Sequence, residues 1–157
     1  MTIEGTSTLH DWISDVTKLE FSGNLVTEGA RLKEVKDVNV KIPVESIKST
    51  KGKMMDNKTW EAFKYDKYPA ITYRLVTLSV HDGLLKTTGA LTMAGAAQSI
   101  AMEIQYTVMP SGEIRFTGSH KIKMKDYKME PPTAMMGTIK VGEEVIVRFD
   151  LTITPNK

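Results

Sequence analysis

The sequence contains no cysteine among its 157 residues. This absence excludes catalysis by a thiol, a zinc site with cysteine ligands, iron–sulfur clusters and a disulfide framework. The three histidines, His10, His81 and His120, stand too far apart in the chain to predict a metal site by their spacing. Lysine and arginine number 21 against 19 aspartate and glutamate, which is too even a balance to indicate a nucleic-acid-binding protein. We therefore expect no metal, no cofactor and no nucleic-acid partner.

Long apolar runs are also missing. No segment has the roughly 20 apolar residues that a membrane-spanning helix needs. The chain does not start with the basic and then apolar pattern of a signal peptide, because residues 2–9 already resemble a strand. Two explanations are open: a cytosolic protein, or an exported one whose signal peptide is absent from this chain. The length is typical of a single domain, residues 1–157.

Alternation of apolar and polar residues is the dominant pattern that the sequence does contain. In residues 100–108 every second residue is large and apolar, and those between are mostly polar. Such alternation predicts a strand with one buried face. The turn at 110–112, followed by a second alternating run at 114–124, predicts a long hairpin. Residues 144–153 predict a last strand of the same kind.

The strand count predicts the fold class. Further strands are expected near residues 3–9, 18–25, 38–43, 70–80 and 84–94. The total is about eight, several of them about ten residues long, and long consecutive antiparallel strands favour an up-and-down barrel over a sandwich. We therefore predict an all-β fold, an eight-stranded antiparallel β-barrel. Its interior is either filled by side chains or able to hold one small ligand.

One segment, residues 51–64, breaks the strand pattern. Met55, Thr59 and Phe63 recur there at helical spacing, which predicts a short helix. The Asp-Asn pair at 56–57 offers a cap for its start. We expect this helix to lie across one mouth of the barrel.

Two groups of polar residues are candidates for chemistry. Ser7, His10 and Asp11 are close in sequence, but a catalytic triad is recognised by geometry across a fold. We expect His10 and Asp11 to satisfy backbone groups at a strand end, while Trp12 packs or contacts a ligand. His120 lies on the apolar face of its strand, where a polar group needs a partner. It is either a core histidine bonded to a neighbouring strand or water, or a polar contact inside a ligand cavity.

Methionine and lysine are both concentrated near the predicted helix. Ten methionines are more than a chain of this size usually contains. Because methionine is unbranched and flexible, it fills irregular cores and also lines adaptable apolar cavities. The lysines Lys48, Lys51, Lys53 and Lys58 form either a solvated face or a surface attracted to an anionic head group or membrane.

Motifs spread in order along the whole chain resemble the YceI-like family. They are residues 5–12 (GTSTLHDW), 42–49 (IPVESIKS), 68–73 (YPAITY), 89–93 (GALTM) and 131–145 (PPTAMMGTIKVGEEV). The chain departs from the family pattern at 94–99 and at 126–130, both expected in loops near the barrel mouth. The resemblance implies a lipocalin-like barrel that binds a polyisoprenoid lipid, such as an isoprenoid quinone or a prenyl phosphate, in a long apolar cavity. It also implies a periplasmic or secreted protein, and it leaves a homodimer and transient membrane contact open.

We therefore predict a non-enzymatic lipid-binding protein, a carrier, store or sensor, with one short helix over the barrel mouth. The residues predicted to line the ligand cavity are Trp12, Phe21, Tyr73, Met93, Ile104, Tyr106, Phe116, His120, Met124, Met135 and Phe149. Aromatic rings and methionines would supply contact area, and His120 or a tyrosine hydroxyl would orient a polar head. The alternative is a filled barrel that serves as a protein–protein interaction module and binds no lipid.

Overall fold

The computed structural model describes residues 1–8, 11–29, 31–49, 53–134 and 139–154. These residues form eleven strands, one α-helix and two short 3₁₀ turns. The strands are β1 (Thr2–Ser7), β2 (Trp12–Val16), β3 (Glu20–Glu28), β4 (Arg31–Pro43), β5 (Ile47–Ser49), β6 (Ala70–His81), β7 (Leu84–Met93), β8 (Ala96–Val108), β9 (Ile114–Lys123), β10 (Thr133–Ala134) and β11 (Ile139–Ile153). The helix α1 is Lys53–Ala62, and the 3₁₀ turns are Val44–Ser46 and Met124–Tyr127.

The strands pair antiparallel and curl into a barrel, so the predicted fold class is confirmed. Strands β6, β7, β8 and β9 follow one another as a meander, β9 pairs with β11, and β11 pairs with β1. The first and last strands of the chain are therefore neighbours in the wall. The short β10 pairs with β11 and stands outside the main path of the sheet.

The described residues form eleven strands rather than the predicted eight because two long strands bend at a corner and because the short β10 is an additional strand. Strands β2 and β3 are separated by residues 17–19, and β4 and β5 are separated by the turn Val44–Ser46. Strand β3 pairs with β4, and strand β2 pairs with β5. The segments β2–β3 and β4–β5 are therefore two bent strands that pair with each other on both sides of the corner. Counted through these corners, the described wall contains eight long strands.

Side chains at this corner satisfy the backbone groups that leave the ladder. Thr17 donates its N–H and its hydroxyl to the carbonyl oxygen of Ser46, at 2.8 and 2.7 Å. The Ser46 hydroxyl lies 2.7 Å from the carbonyl oxygen of Pro43 and 3.1 Å from that of Lys18. Buried backbone polar groups need hydrogen-bond partners. Ser46, which is 93% buried, supplies its hydroxyl as such a partner at the corner.

The predicted inward and outward faces of the strands agree with the structure. In β11 every second residue from Val145 to Ile153 faces the barrel interior. Two of the residues between them, Arg148 and Asp150, carry charges that form ion pairs on the outer surface. Arg148 contacts Glu4 at 3.2 Å on β1, on the far side from β9.

Helix α1 forms where it was predicted but begins earlier than the expected cap. It starts at Lys53, so Asp56 lies within the first turn rather than before it. The Asp56 carboxylate accepts a hydrogen bond from the backbone N–H of Ser49, with 2.5 Å between Oδ1 and N, and is 6% exposed. Asp56 therefore fastens α1 to β5 instead of capping the helix.

Two clusters of buried apolar side chains occupy the two ends of the barrel. The helix-end cluster contains Ile3, Val44, Ile47, Phe63, Ile71, Met93, Ala94, Ile122, Met124, Tyr127, Met129 and Val145. The closed-end cluster contains Leu25, Leu32, Leu85, Tyr106 and Ile114. The inward faces of the strands between these clusters remain available to line a cavity.

Candidate functional site: an apolar cavity inside the barrel

A cavity of about 240 Å³ lies inside the barrel, between the helix-end and closed-end clusters. Inward residues of the long strands and one face of α1 line it, and its surface is almost entirely apolar. Among the described lining residues there is no aspartate, glutamate or arginine. The arrangement can bury an apolar molecule but offers few groups for acid–base chemistry.

Helix α1 contributes a regular stripe of side chains to this lining. Met55, Lys58, Thr59 and Ala62 of α1, and Phe63 directly after its end, all face the cavity. Their spacing of i, i+3, i+4, i+7 and i+8 is that of one face of an amphipathic helix. The helix therefore covers the barrel interior with a face that is apolar except at Lys58 and Thr59.

Methionine side chains are concentrated at the helix end of the cavity. Met93, Met124 and Met129 belong to the helix-end cluster and also line the cavity, and Met55 of α1 is a further lining residue. Each thioether side chain has several rotatable bonds and adapts to irregular shapes. This end can change its internal shape at low cost.

The closed end is built differently. Leu25 and Leu85 line the cavity there, and Ile114 packs behind them with no exposed surface. The Tyr106 ring lies in the same cluster, and its hydroxyl donates to the carbonyl oxygen of His81 at 3.1 Å. Branched aliphatic side chains and a bonded tyrosine make this floor rigid.

Tyr73 forms part of the middle of the cavity wall. Its ring lies directly against Gly89, where a Cβ atom would collide with it. The hydroxyl is buried and has no hydrogen-bond partner of normal geometry among the described residues. Burial raises the pKa of Tyr73, and the nearby Thr87 hydroxyl acts in the opposite direction, so the phenol is neutral at physiological pH. Thr87 itself donates to the carbonyl oxygen of Met102 at 3.2 Å.

His120 faces the cavity from β9, beside Val147 of β11. Burial lowers the pKa of its imidazole below the ordinary value of 6.5, so His120 is neutral at pH 7. Two residues away, Gly118 leaves room for the ring of Phe149, which also lines the cavity. The structure places His120 on the cavity lining. Its role as a polar contact for a ligand stays a prediction.

Trp12 closes the wall near the helix end. Its indole ring lies on Gly5, where a Cβ atom would overlap it, and its Nε1 donates to the carbonyl oxygen of Thr6 at 3.1 Å. The same ring lines the cavity. The Gly5 to Trp12 motif therefore has a packing role in addition to any role in ligand contact.

Helix α1 is fastened to the barrel on two sides. The Trp60 Nε1 donates to the carbonyl oxygen of Ile47 at 2.9 Å, and the Lys48 ammonium lies 5.4 Å from the Trp60 ring centroid. On the opposite side the Lys58 ammonium donates to the carbonyl oxygen of Thr133 at 2.6 Å. These contacts hold the helix over the cavity.

The structure brings most of the predicted cavity residues together. Those that line the cavity are Trp12, Phe21, Tyr73, Met93, Ile104, Phe116, His120, Met124 and Phe149. Tyr106 does not reach it, because this residue lies one step beyond Ile104 on β8, inside the closed-end cluster. Met135 and His10 lie outside the described residues. The role of the nine lining residues in ligand binding stays a prediction.

Sequence reasoning overlooked Lys58 as a lining residue. The lysines around the helix were interpreted together as a solvated face or as a basic surface. Neither interpretation predicts which of these lysines faces the cavity. The available signal was the helical stripe, since Lys58 stands three residues after Met55 and one before Thr59. Residues 96–99, expected in a loop, instead begin β8 after a turn at Ala94 and Gly95.

No group of three or more histidine, aspartate or glutamate side chains within the described ranges is arranged to hold a metal ion. In the same part of the chain, no helix has both the length and the hydropathy to cross a membrane.

An antiparallel barrel with an apolar interior under one helix defines a lipocalin-like architecture. The family model of the YceI-like domain matches residues 4–153, and the chain belongs to this family. No curated protein sequence matches the chain significantly.

Solved structures show the same fold at low sequence identity. A polyisoprenoid-binding domain from Saccharophagus degradans, implicated in plant cell wall breakdown, superposes with a TM-score of 0.73 at 16% identity, covering 99% of this chain and 94% of that one. BcnA from Burkholderia cenocepacia gives a TM-score of 0.72 at 18% identity, with 98% and 96% covered. The YceI protein of Campylobacter jejuni gives 0.67 at 22% identity, with 91% and 87% covered.

Proposed function

We propose that the protein binds one hydrophobic lipid chain, a polyisoprenoid, inside the barrel and does not transform it. The observation that carries this proposal is the apolar cavity inside the barrel, lined by inward residues of the strands and by one face of α1. The likeness to a polyisoprenoid-binding domain of the same fold supports the choice of lipid class.

Burial of apolar surface would supply the binding free energy. At about 25 cal/mol per Å², covering a few hundred Å² of ligand contributes roughly 8 to 12 kcal/mol before the costs of ordering. Few polar atoms interrupt the lining, so little of this gain is lost to unpaired hydrogen-bonding groups.

The lining also favours binding over catalysis. General acid–base chemistry usually needs a carboxylate, histidine or lysine placed beside a second group that orients or activates it. His120 lines the cavity as a neutral imidazole, and no described lining residue is a carboxylate. We therefore propose a carrier, store or sensor that uses no cofactor.

The cavity volume sets the sharpest constraint on the ligand. About 240 Å³ lies just below the roughly 300–1,000 Å³ typical of small-molecule pockets. A long chain would need extra room, which the flexible methionines Met55, Met93, Met124 and Met129 can supply by changing rotamers. The same volume favours the second candidate function, a filled barrel that acts as a protein–protein interaction module.

A chain-length series distinguishes these two functions. Purified protein would be extracted with organic solvent and titrated with geraniol, farnesol and geranylgeraniol, with native mass spectrometry as the readout. Lipid binding predicts one bound molecule and affinity that rises with chain length until the cavity is full. Failure of all three alcohols to bind, with no lipid in the extract, would contradict the proposal and favour the interaction module.

Two neighbouring residues of β6 provide a matched control for this experiment. Leu75 lines the cavity, whereas Val76 faces outward and is 59% exposed. Leu75→Trp should fill the interior and reduce binding of the longest alcohol, and Val76→Trp should leave it unchanged. Equal binding by both variants would place the lipid outside the barrel.

The cellular location and assembly are further parts of the proposal. We propose a periplasmic or secreted protein, as the resemblance to the YceI-like family implies. Homodimer formation and transient contact with a membrane fit the same role. Fractionation of cells that produce the full-length protein, followed by sedimentation of the purified protein, tests the location and the oligomeric state.

A further inference from the structure

We propose that Lys58 binds an anionic head group, a phosphate or a carboxylate, on the lipid that occupies the barrel. This inference rests on the proposed function and specifies the chemical class of its ligand. It also fixes the direction of the bound chain, with the charged head at α1 and the tail toward the closed end.

The first observation is the charge of the lining. Lys58 is the one side chain with a permanent charge among the described residues that line the cavity. An apolar cavity with one cationic side chain at its helix end is complementary to a lipid that has one negative head and one apolar chain. A zwitterionic head would lack a partner for its positive part, since no carboxylate is present in the described lining.

The second observation is the hydrogen bonding of Lys58. Its ammonium has three protons to donate. One of them goes to the carbonyl oxygen of Thr133 at 2.6 Å, and none of the described carboxylates lies within ion-pair distance. A carbonyl oxygen accepts a proton but does not neutralise the charge, so two donors and the full positive charge remain for a ligand.

The nearby acid does not compete for this position. Asp56 lies two residues before Lys58 on α1, but its carboxylate is buried and accepts the N–H of Ser49. Asp56 is not part of the cavity lining. Lys58 therefore presents a positive group at the edge of the cavity while its aliphatic stem continues the apolar surface of the helix stripe.

Lys64 provides a matched control. Its ammonium also donates to a backbone carbonyl, that of Lys128, at 3.1 Å. Both lysines therefore attach the helix region to the segment that follows β9, but Lys64 does not line the cavity. A general effect of removing such an attachment would appear in both variants, whereas head-group recognition would appear in Lys58 variants alone.

The test measures binding of farnesyl phosphate, farnesoic acid and farnesol to the wild type, Lys58→Met, Lys58→Arg and Lys64→Met. Methionine keeps the length and apolar stem of lysine but removes the charge. We expect Lys58→Met to weaken binding of the phosphate and the acid by about tenfold or more, because charge-assisted hydrogen bonds are lost. Binding of farnesol should change by less than about twofold, Lys58→Arg should retain the preference for the anions, and Lys64→Met should resemble the wild type.

Three results obtained with the variants or with a competing anion would overturn the assignment. They are equal loss of anion and alcohol binding in Lys58→Met, the same loss in Lys64→Met, or displacement of farnesyl phosphate by an equal concentration of inorganic phosphate, which would show a free-anion site. Binding of farnesol without any preference for the anions would contradict this inference and leave the proposed function intact. Binding of no ligand by the wild type would reject both.

Discussion

The two clusters at the ends of the barrel interior both contain branched aliphatic side chains, but methionine is found only in the helix-end cluster. The helix end has flexible methionines under a helix that is attached by a few hydrogen bonds. The closed end has branched aliphatic residues and a tyrosine bonded to the backbone, with Ile114 completely buried. We therefore expect the closed end to contribute more to the stability of the fold, and the helix end to adapt to the proposed ligand.

The largest expected effect comes from breaking the closed end. Ile114→Ala should lower the free energy of unfolding by about 3 kcal/mol, within the usual range of 2–5 kcal/mol for such truncations, because it leaves a void where packing is complete. Urea denaturation followed by circular dichroism measures this change. Ligand affinity should be retained under conditions where the variant is folded, since Ile114 does not line the cavity.

Ile13→Ala is the control for that variant. Ile13 is 39% exposed on β2, so the same truncation removes much less buried surface. We expect a loss below about 1 kcal/mol. Equal losses at both positions would mean that the closed end has no special role in stability.

A substitution at the helix end should have a smaller effect on stability and a larger one on binding. Met124→Leu nearly conserves volume, so the free energy of unfolding should change by less than about 1.5 kcal/mol. The stiffer, branched side chain should narrow the range of chain lengths that bind, which the alcohol series measures. An unchanged range would show that this methionine is only a filling residue.

The smallest effect should come from the pH dependence of His120, which lies between the two ends. Its folded-state pKa is below 6.5, so the unfolded chain binds more protons in acid and the contribution of His120 to stability falls as the pH decreases through 6.5. His120→Gln should therefore lose less stability than the wild type between about pH 7 and about pH 5. Denaturation at several pH values measures the difference.

His81→Gln is the corresponding control outside the cavity. His81 is exposed, and its Nε2 lies 2.9 Å from the Ser79 hydroxyl. If both histidine variants changed the pH dependence equally, burial in the cavity would not be the cause.

The sequence predicted the fold well wherever alternation was regular. In β11 every second residue from Val145 to Ile153 is apolar, and these inward residues were assigned correctly. Strand β2 was missed because its pattern is inverted: Ile13 is exposed, whereas Ser14 is only 2% exposed and lines the cavity. In β4, Asp37 adopts a left-handed conformation and the pairing with β3 shifts register, so a period of two does not continue through the strand.

The candidate site was predictable in part for the same reason. The inward faces of the strands gave most of the lining residues, but periodicity does not show where along a strand the cavity ends. Tyr106 was therefore included although it lies beyond the floor. Lys58 was overlooked because charge suggests solvent exposure, and only the packing of α1 over the mouth turns that side of the helix inward.

The pairing of the first strand with the last also bears on how the chain folds. The contact between Glu4 and Arg148 joins residues 144 positions apart, so this seam can form only after nearly the whole chain is present. Contacts of such long range are associated with slow folding, on the order of milliseconds to seconds. Until the seam closes, β1 and β11 have exposed edges that can pair with other chains. Aggregation during refolding should therefore compete with closure of this seam more than with formation of the central β6–β7 hairpin.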